Sequence, residues 1–327
     1  MNLPVLALTA GDPGGIGPEI IVKTLRHLPR PRRSVYLVIG PQSAFRLLHK
    51  KTGLDFPFTA VKAGEIERLK AGTVAFLDTP AKNLTDLAPQ PGRLSRENAA
   101  MALAALECAA GLACAGRVQA LVTAPLNKTA IRMILPGFSG HTEYLAERAG
   151  VKKFAMMFVS PRLKVTLATI HVALKDVSSK ITRAGVLEKI ILTHEFLKQR
   201  MGIRHPRLGI AALNPHGRET GKEEDRILVP AVRAARRRGI QAEGPVSADR
   251  LFYDAYNGQY HGLISMYHDQ ALAPFKMVAF HDGVNTTLGL PFVRTSPDHG
   301  TAFDIAYRGK ADASSMQASL RLAESLV

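Results

Sequence analysis

Three of the eleven histidines in this 327-residue chain stand where an apolar run ends. His171 closes LKVTLATIH, His216 closes LGIAALNPH, and His268 follows GLISMY and precedes Asp269. Each imidazole would sit at the carboxyl end of a separate strand. Three protein ligands with open positions beside them is the layout of a catalytic metal site. Spacing alone favours a plainer reading, three unrelated loop histidines, because they lie far apart and no HExxH pattern is present. A second group is Gly140-His141-Thr142-Glu143, entering the helical run TEYLAERAG. Backbone N–H groups, a hydroxyl and an imidazole at a helix start suit a phosphate or carboxylate. Capping by Thr142 explains the same residues equally well. A third set is Lys276, Asn285 and Arg294, which could grip a phosphorylated acid, although each alone also suits a solvated surface. The fourth feature is GDPGGIGPEI, residues 11–20. It is a tight turn after the first apolar run, with neither GxGxxG spacing nor a Walker lysine.

Elements that could carry these residues alternate along the chain. Strands are expected at 3–10, 34–40, 73–78, 119–124, 153–159, 164–171, 207–213 and 261–267. Several are rich in Val, Ile and Leu on both faces, as strands of a covered sheet require. Helices are expected at 18–28, 95–114, 142–149, 180–200, 222–238 and 311–325. The first opens with Pro18 and Glu19, a favourable helix start. This order predicts an α/β fold with a mostly parallel sheet. Ser160-Pro161-Arg162 reads as a hairpin turn and brings in an antiparallel element.

Length and 46% hydrophobic residues allow two lobes, each with its own core. No signal peptide is evident at the N-terminus. No uninterrupted apolar run has the length of a bilayer span, so no membrane association is expected. Cys108 and Cys114 match neither a zinc knuckle nor a redox pair and read as core thiols of a cytoplasmic protein. The net charge of +16 raises nucleic acid as a partner, but the charge is spread along the chain. Its densest cluster, Arg233, Arg236, Arg237 and Arg238, closes a helix whose first turn holds Glu223, Glu224 and Asp225. That is ordinary complementation of a helix dipole. Without a DNA or RNA module motif, the charge fits better as a field drawing in phosphorylated metabolites and dinucleotides.

Taken in order, TAGDPGGIGPEI, VTAPLNK, GHTEYLAE, IHVALKDV, ALNPH, PVSADRLF, MYHDQALAPFK and GVNTTLGLPFVRTSPDHGTAFDIA cover nearly the whole chain. In this the chain resembles the 4-hydroxythreonine-4-phosphate dehydrogenase (PdxA-type) family of vitamin B6 synthesis. The resemblance implies a two-lobed α/β/α fold, isocitrate/isopropylmalate dehydrogenase-like, with the active site between lobes and a homodimer sharing it. It implies residues 1–126 plus 285–327 as the dinucleotide-side lobe, and 127–284 as the metal, substrate and dimerisation lobe. His171, His216 and His268 fall on its metal ligands. His141, Thr142, Lys276, Asn285 and Arg294 fall on its substrate contacts, and Asp249 and Asp269 on acidic positions near the site. SPDHGTAFDIAYRGKADASS is also similar to the adenosine-binding loop of isocitrate and isopropylmalate dehydrogenases. That similarity makes His299, Gly300, Thr301, Ala302 and Asp304 cofactor-loop candidates. The chain departs from the family pattern at Ala271, at Ala173 and in a shorter NPHGRETGKEED.

The implied reaction is oxidation of 4-phosphooxy-L-threonine with NAD or NADP and one divalent cation (zinc, magnesium or cobalt), followed by decarboxylation. Asp249, Asp269 and Lys276 are base candidates that the residues themselves do not rank. A sister activity on phosphorylated threonate or erythronate is the first rival. A metal-dependent lyase or decarboxylase without redox chemistry is the second.

Overall fold

The run VLALT is a strand with all five residues buried, β1 (Val5–Thr9), as expected of an apolar segment covered on both faces. In the computed structural model, which describes residues 3–28, 33–79 and 88–327, eleven more strands follow it. They are β2 (Val35–Gly40), β3 (Thr59–Ala60), β4 (Val74–Asp78), β5 (Ala120–Thr123), β6 (Ala155–Val159), β7 (Lys164–Leu167), β8 (Arg207–Ala211), β9 (Gln241–Val246), β10 (Gly262–Ser265), β11 (Val284–Leu288) and β12 (Val293–Pro297).

Two units result, Met1–Gly150 with Leu290–Val327, and Val151–Gly289. In the first the strand order is β3-β4-β2-β1-β5-β12, parallel throughout. In the second it is β11-β6-β7-β10-β8-β9. There β11 and β7 both pair antiparallel with β6, while β7, β10, β8 and β9 are mutually parallel. The Ser160–Leu163 turn closes the β6–β7 hairpin through Ser160 N–H to Leu163 O at 2.8 Å. The mostly parallel α/β architecture with antiparallel strands is therefore present.

The unit boundaries, after Gly150 and after Gly289, differ from the expected 126 and 285. Residues 127–150 belong with the first unit because two short helices, Lys128–Arg132 and His141–Arg148, pack on the long helix Arg96–Cys114. Glu107 on that helix accepts from Tyr144 Oη and Arg148 Nη2 at 3.2 and 2.9 Å. Arg96–Cys114 is also long and apolar enough, by length and composition, to cross a membrane, although Glu107 interrupts its apolar run. It buries its alanine stripe on β1, β2 and β5, the behaviour of a core helix.

Some elements were not expected. The helix His268–Ala279 contains Pro274, which removes one helical N–H and reads in sequence as a break. Its buried face, Ala271, Leu272, Phe275 and Ala279, packs on Phe158, Leu163, Val165 and Leu251. The rings of Phe275 and Phe158 are 5.7 Å apart. Strand β9 carries Gly244 and Pro245, tolerated because it lies at a sheet edge. Residues 224–228 form a π-helical turn before the helix Val229–Arg236. Glu224, in the first turn as expected, is fully buried.

Truncating Phe275 to alanine should open a cavity under the helix that begins at His268. The expected loss is about 3–5 kcal/mol of unfolding free energy, read by urea denaturation. A loss below about 1 kcal/mol would show that this helix is not anchored through Phe275.

Candidate active site

Adjacent parallel strands end on the same edge, and the loops beyond that edge are where α/β sheets bind ligands. In the second unit β7, β10, β8 and β9 lie in that order. His171 follows β7, His268 follows β10, His216 follows β8 and Asp249 follows β9. Two expected strands stop early: β7 ends at Leu167 and β8 at Ala211. Both histidines therefore stand on bent loops rather than on the strands.

Hydrogen bonds brace these loops to one another. Ala168 N–H donates to Ser265 O at 2.8 Å, and Thr169 Oγ1 donates to Met266 O at 2.7 Å. Gln270 Oε1 accepts from Met266 N–H, while its Nε2 donates to Ala212 O, both at 2.7 Å. The loops after β7, β10 and β8 are thus tied in sequence across the edge. Within them the His171 and His268 rings lie 6.0 Å apart, inclined at 36°. With nitrogen–metal distances of about 2.0–2.1 Å, two imidazoles on one cation stand roughly 5–6 Å apart between centres. Asp269 Oδ1 lies 2.7 Å from His268 Nδ1. A carboxylate there orients the ring and leaves Nε2 as the donor to a ligand. His216 adopts φ 56°, a left-handed conformation that costs a non-glycine residue about 1–2 kcal/mol. Among the described residues of a single chain, no three His, Cys, Asp or Glu side chains gather closely enough to hold a metal. One chain brings His171 and His268 together but does not add His216 to them.

The first unit holds a cluster of cations. Arg294, on β12, is buried, not solvated, and its Nη2 donates to Thr123 Oγ1 at 3.0 Å. Burial pulls its pKa down to about 10, opposed by the charge of Glu143, so the guanidinium stays charged at neutral pH. His141 opens the helix His141–Arg148, whose N-cap is Gly140, with no side-chain cap bond. Thr142 lies inside the helix and does not cap it. Burial first, then the charges of Arg294 and Lys128, hold His141 well below the usual histidine range, so its ring is neutral near pH 7. Its Nε2 is buried without a protein partner. Leaving such an atom unsatisfied costs about 1–3 kcal/mol, and a ligand at this helix start would satisfy it. Lys128 reaches the same place: a methyl built on Gly140 would meet Lys128 Cε at 3.1 Å and Nζ at 3.3 Å.

The candidate cofactor loop follows β12. His299, Gly300 and Asp304 are exposed, and Ala302 is left-handed at φ 43°. The loop rests on the glycine-rich turn after β1. Ile16 N–H donates to Thr301 O at 3.0 Å, and Tyr307 Oη donates to Pro13 O at 2.6 Å. A methyl on Gly15 would lie 2.6 Å from Thr301 O, so that approach excludes a side chain. The other expected residues are more dispersed. Asp249 is exposed in the first turn of the helix Ala248–Tyr256. Lys276 is eight residues along the helix from His268, about 12 Å along its axis. Asn285, in β11, pairs with Phe158 and so lies level with Val165, within the sheet rather than beyond its carboxyl edge.

Residues 32–323 match the family described as "Pyridoxal phosphate biosynthetic protein PdxA". The chain belongs to this family. A PdxA-family relative from Desulforapulum autotrophicum, named 4-hydroxythreonine-4-phosphate dehydrogenase, is 42% identical over 98% of this chain and 95% of its own. The D-threonate 4-phosphate dehydrogenase of Salmonella typhimurium is 40% identical over 100% of both chains. The crystal structure of 4-hydroxythreonine-4-phosphate dehydrogenase from Klebsiella pneumoniae superposes with a TM-score of 0.88 at 35% identity, covering 99% of each chain.

For this PdxA-family chain, sequence reasoning missed Lys128, Thr123, Thr169, Gln270 and Glu224. It also missed Asp12, which is buried beside the cofactor-loop candidates. Burial pushes the Asp12 carboxyl up to about 6, against the lowering effect of the Gly14 N–H bond at 2.9 Å. The folded state therefore holds that proton more tightly than the unfolded chain, whose group titrates near 3.8. Stability is accordingly lost as pH rises from about 4 to about 6. Asp12→Asn keeps an acceptor for Gly14 and removes this loss. The variant should gain on the wild type across that window, by at most about 3 kcal/mol above pH 6. Parallel stability–pH curves for the two proteins would dismiss the shift.

Proposed function

We propose that the chain oxidises 4-phosphooxy-L-threonine (4-hydroxythreonine 4-phosphate) at C3, using NAD or NADP and one divalent cation: zinc, magnesium or cobalt. The product, 2-amino-3-oxo-4-phosphooxybutanoate, loses carbon dioxide to give 3-amino-2-oxopropyl phosphate. The observation that carries this reading is the pair of cations, buried Arg294 and half-buried Lys128, beside the unsatisfied His141 nitrogen, which suits a phosphorylated acid.

Arg294 and Lys128 supply the positive charge, and neutral His141 supplies a directed hydrogen bond from Nε2–H, with Thr142 beside it. Because Arg294 is already dehydrated, its bond to an anion forms in a medium of low dielectric, where it is strong. His171, His268 and His216 would hold the cation, with Asp269 orienting His268. When bound, the cation is a Lewis acid that lowers the pKa of the substrate hydroxyl. Asp269 is occupied by His268, which leaves Asp249 and Lys276 as the base candidates for the hydroxyl proton. Lys276 and Asn285 complete the proposed substrate contacts. The dinucleotide accepts hydride, and the exposed loop of His299, Gly300, Thr301, Ala302 and Asp304 would hold it over the glycine-rich turn.

A second copy of the chain is proposed to complete the set of three histidines. Met277, Val278 and Phe280 are exposed at the end of the helix that starts with His268, with Phe280 72% exposed. Large apolar groups so placed suit burial in a dimer. The unpaired Cys108 and Cys114 fit the reducing cytoplasm that this reading implies. The full-length likeness to the Salmonella enzyme favours D-threonate 4-phosphate as a second reading of the substrate.

The test is an assay at 340 nm with both substrates, both dinucleotides and a panel of metals. Faster turnover of D-threonate 4-phosphate would replace the first substrate by the second. Release of carbon dioxide without any dinucleotide reduction would end the oxidoreductase reading. His268→Ala should abolish turnover with the fold retained, and EDTA should do the same to the wild type. Arg294→Ala should raise KM about ten- to a hundredfold, the loss expected of a charge-assisted bond of about 1.5–3 kcal/mol. Finally, Phe280→Glu should shift the native protein to monomer in sedimentation. A dimer of unchanged affinity would place the interface elsewhere.

A further inference from the structure

We infer that Glu224 is a positioning residue that holds the His216 loop in its metal-binding conformation. The inference rests on the reading of His216 as a metal ligand. Glu224 is completely buried, yet it belongs to no charge pair among the described residues. Its carboxylate is spent on the two residues that precede Pro215 and His216. Oε1 accepts from Leu213 N–H at 3.0 Å and from Asn214 N–H at 2.9 Å. Oε2 accepts from Asn214 Nδ2 at 3.0 Å. Asn214 Nδ2 also donates to Glu223 Oε2 at 3.0 Å, and Glu223 Oε1 accepts from Ser178 Oγ at 2.6 Å.

What this clamp fixes is a turn. Gly217 N–H donates to Asn214 O at 3.2 Å, so Pro215 and His216 are the two central residues. Proline suits the first of these, but a positive φ at the second favours glycine or asparagine. His216 takes that place at φ 56°. A left-handed histidine persists only where its surroundings over-determine it. Glu224 does so from below, by fixing the first corner of the turn, while Gln270 Nε2 holds Ala212 O at 2.7 Å just before it. Apolar packing could stiffen a helix start equally well. A buried carboxylate with three N–H donors specifies direction as well as position, and direction is what a ligand imidazole needs.

The experiment titrates Co2+ into the metal-stripped, full-length protein and follows its visible absorption. Glu224→Gln replaces one acceptor oxygen by a donor facing N–H groups. Its Co2+ dissociation constant is expected to rise about ten- to a hundredfold, as for lost outer-shell partners of ligating histidines. Its kcat should recover at saturating Co2+, and its far-ultraviolet dichroism should match the wild type. A variant that melts earlier but binds Co2+ as tightly as the wild type overturns the inference, since a purely structural role predicts that result. Should Glu224→Gln not fold, Asn214→Ala removes only the side-chain anchor and leaves both main-chain bonds of Glu224. It is expected to weaken Co2+ binding in the same direction, and unchanged affinity there overturns the inference too. His216→Ala separates the two levels. If it binds Co2+ like the wild type, the ligand assignment of His216 fails and the inference falls with it. If it loses binding while Glu224→Gln does not, only the inference falls.

Discussion

Parallel pairing brings the ends of neighbouring strands to one edge, and hydrogen bonds between the loops beyond that edge decide where the histidines stand. In the second unit those bonds run from Ala168 and Thr169 to Ser265 and Met266, and from Gln270 to Met266 and Ala212. The Ala168 bond is the last rung of the β7–β10 ladder, and the side-chain bonds of Thr169 and Gln270 continue beyond it. They convert three connections into one braced rim. His171 and His268 are neighbours because of this rim, although 97 positions separate them in sequence.

The first unit solves a different problem. It keeps a guanidinium and an imidazole dry, and the anion binding proposed for them calls for no internal counter-charge strong enough to quench them. Thr123, a neutral acceptor, bonds Arg294, and the charge of Glu143 acts on it electrostatically without dominating its pKa, which burial still lowers. Dehydration thus remains the larger effect on Arg294. The surplus of basic residues over the whole chain adds long-range attraction for the same kind of ligand.

How much of this was legible follows from the range of each interaction. The buried strands announced themselves through continuous Val, Ile and Leu runs, and β1, β2, β4 and β5 lie within a residue or two of expectation. The hairpin at Ser160–Leu163 was legible from its turn residues. The helix His268–Ala279 was hidden by Pro274 and β9 by Gly244 and Pro245, because tertiary packing overrode a local veto. Of the site, the ligand-type residues His171, His216, His268, His141 and Arg294 could be picked out by type, motif and resemblance. Gln270, Thr169 and Glu224 could not, since a brace has no chemistry of its own and is recognised only by what it touches. Glu224 shows why: in sequence it is one of three acids at a helix start, as it is in the structure, and only the fold shows it turned inward onto Leu213 and Asn214.

Three residues of the candidate site break local rules. His216 is left-handed after β8, His141 keeps a buried nitrogen unsatisfied at a helix start, and Asp12 is a buried carboxyl after β1. Each lowers the stability of the chain by itself. The cost is borne by cores such as the one around Phe158, Leu251 and Phe275, whose residues obey every rule of burial and pattern. Left-handed strain sits on loop residues, but buried polar atoms without a partner also occur on β1 at Thr9, on β10 at Ser265 and on the helix Gly17–Arg26 at Thr24, so the part of the sequence that specifies the fold overlaps the part that specifies chemistry. Two of the departures from the family pattern, Ala173 and the shortened 214–225 segment, lie in the connections after β7 and β8, whereas Ala271 lies on the buried face of the helix His268–Ala279. Changes beyond the sheet edge alter what surrounds a ligand without touching the ladder that carries it.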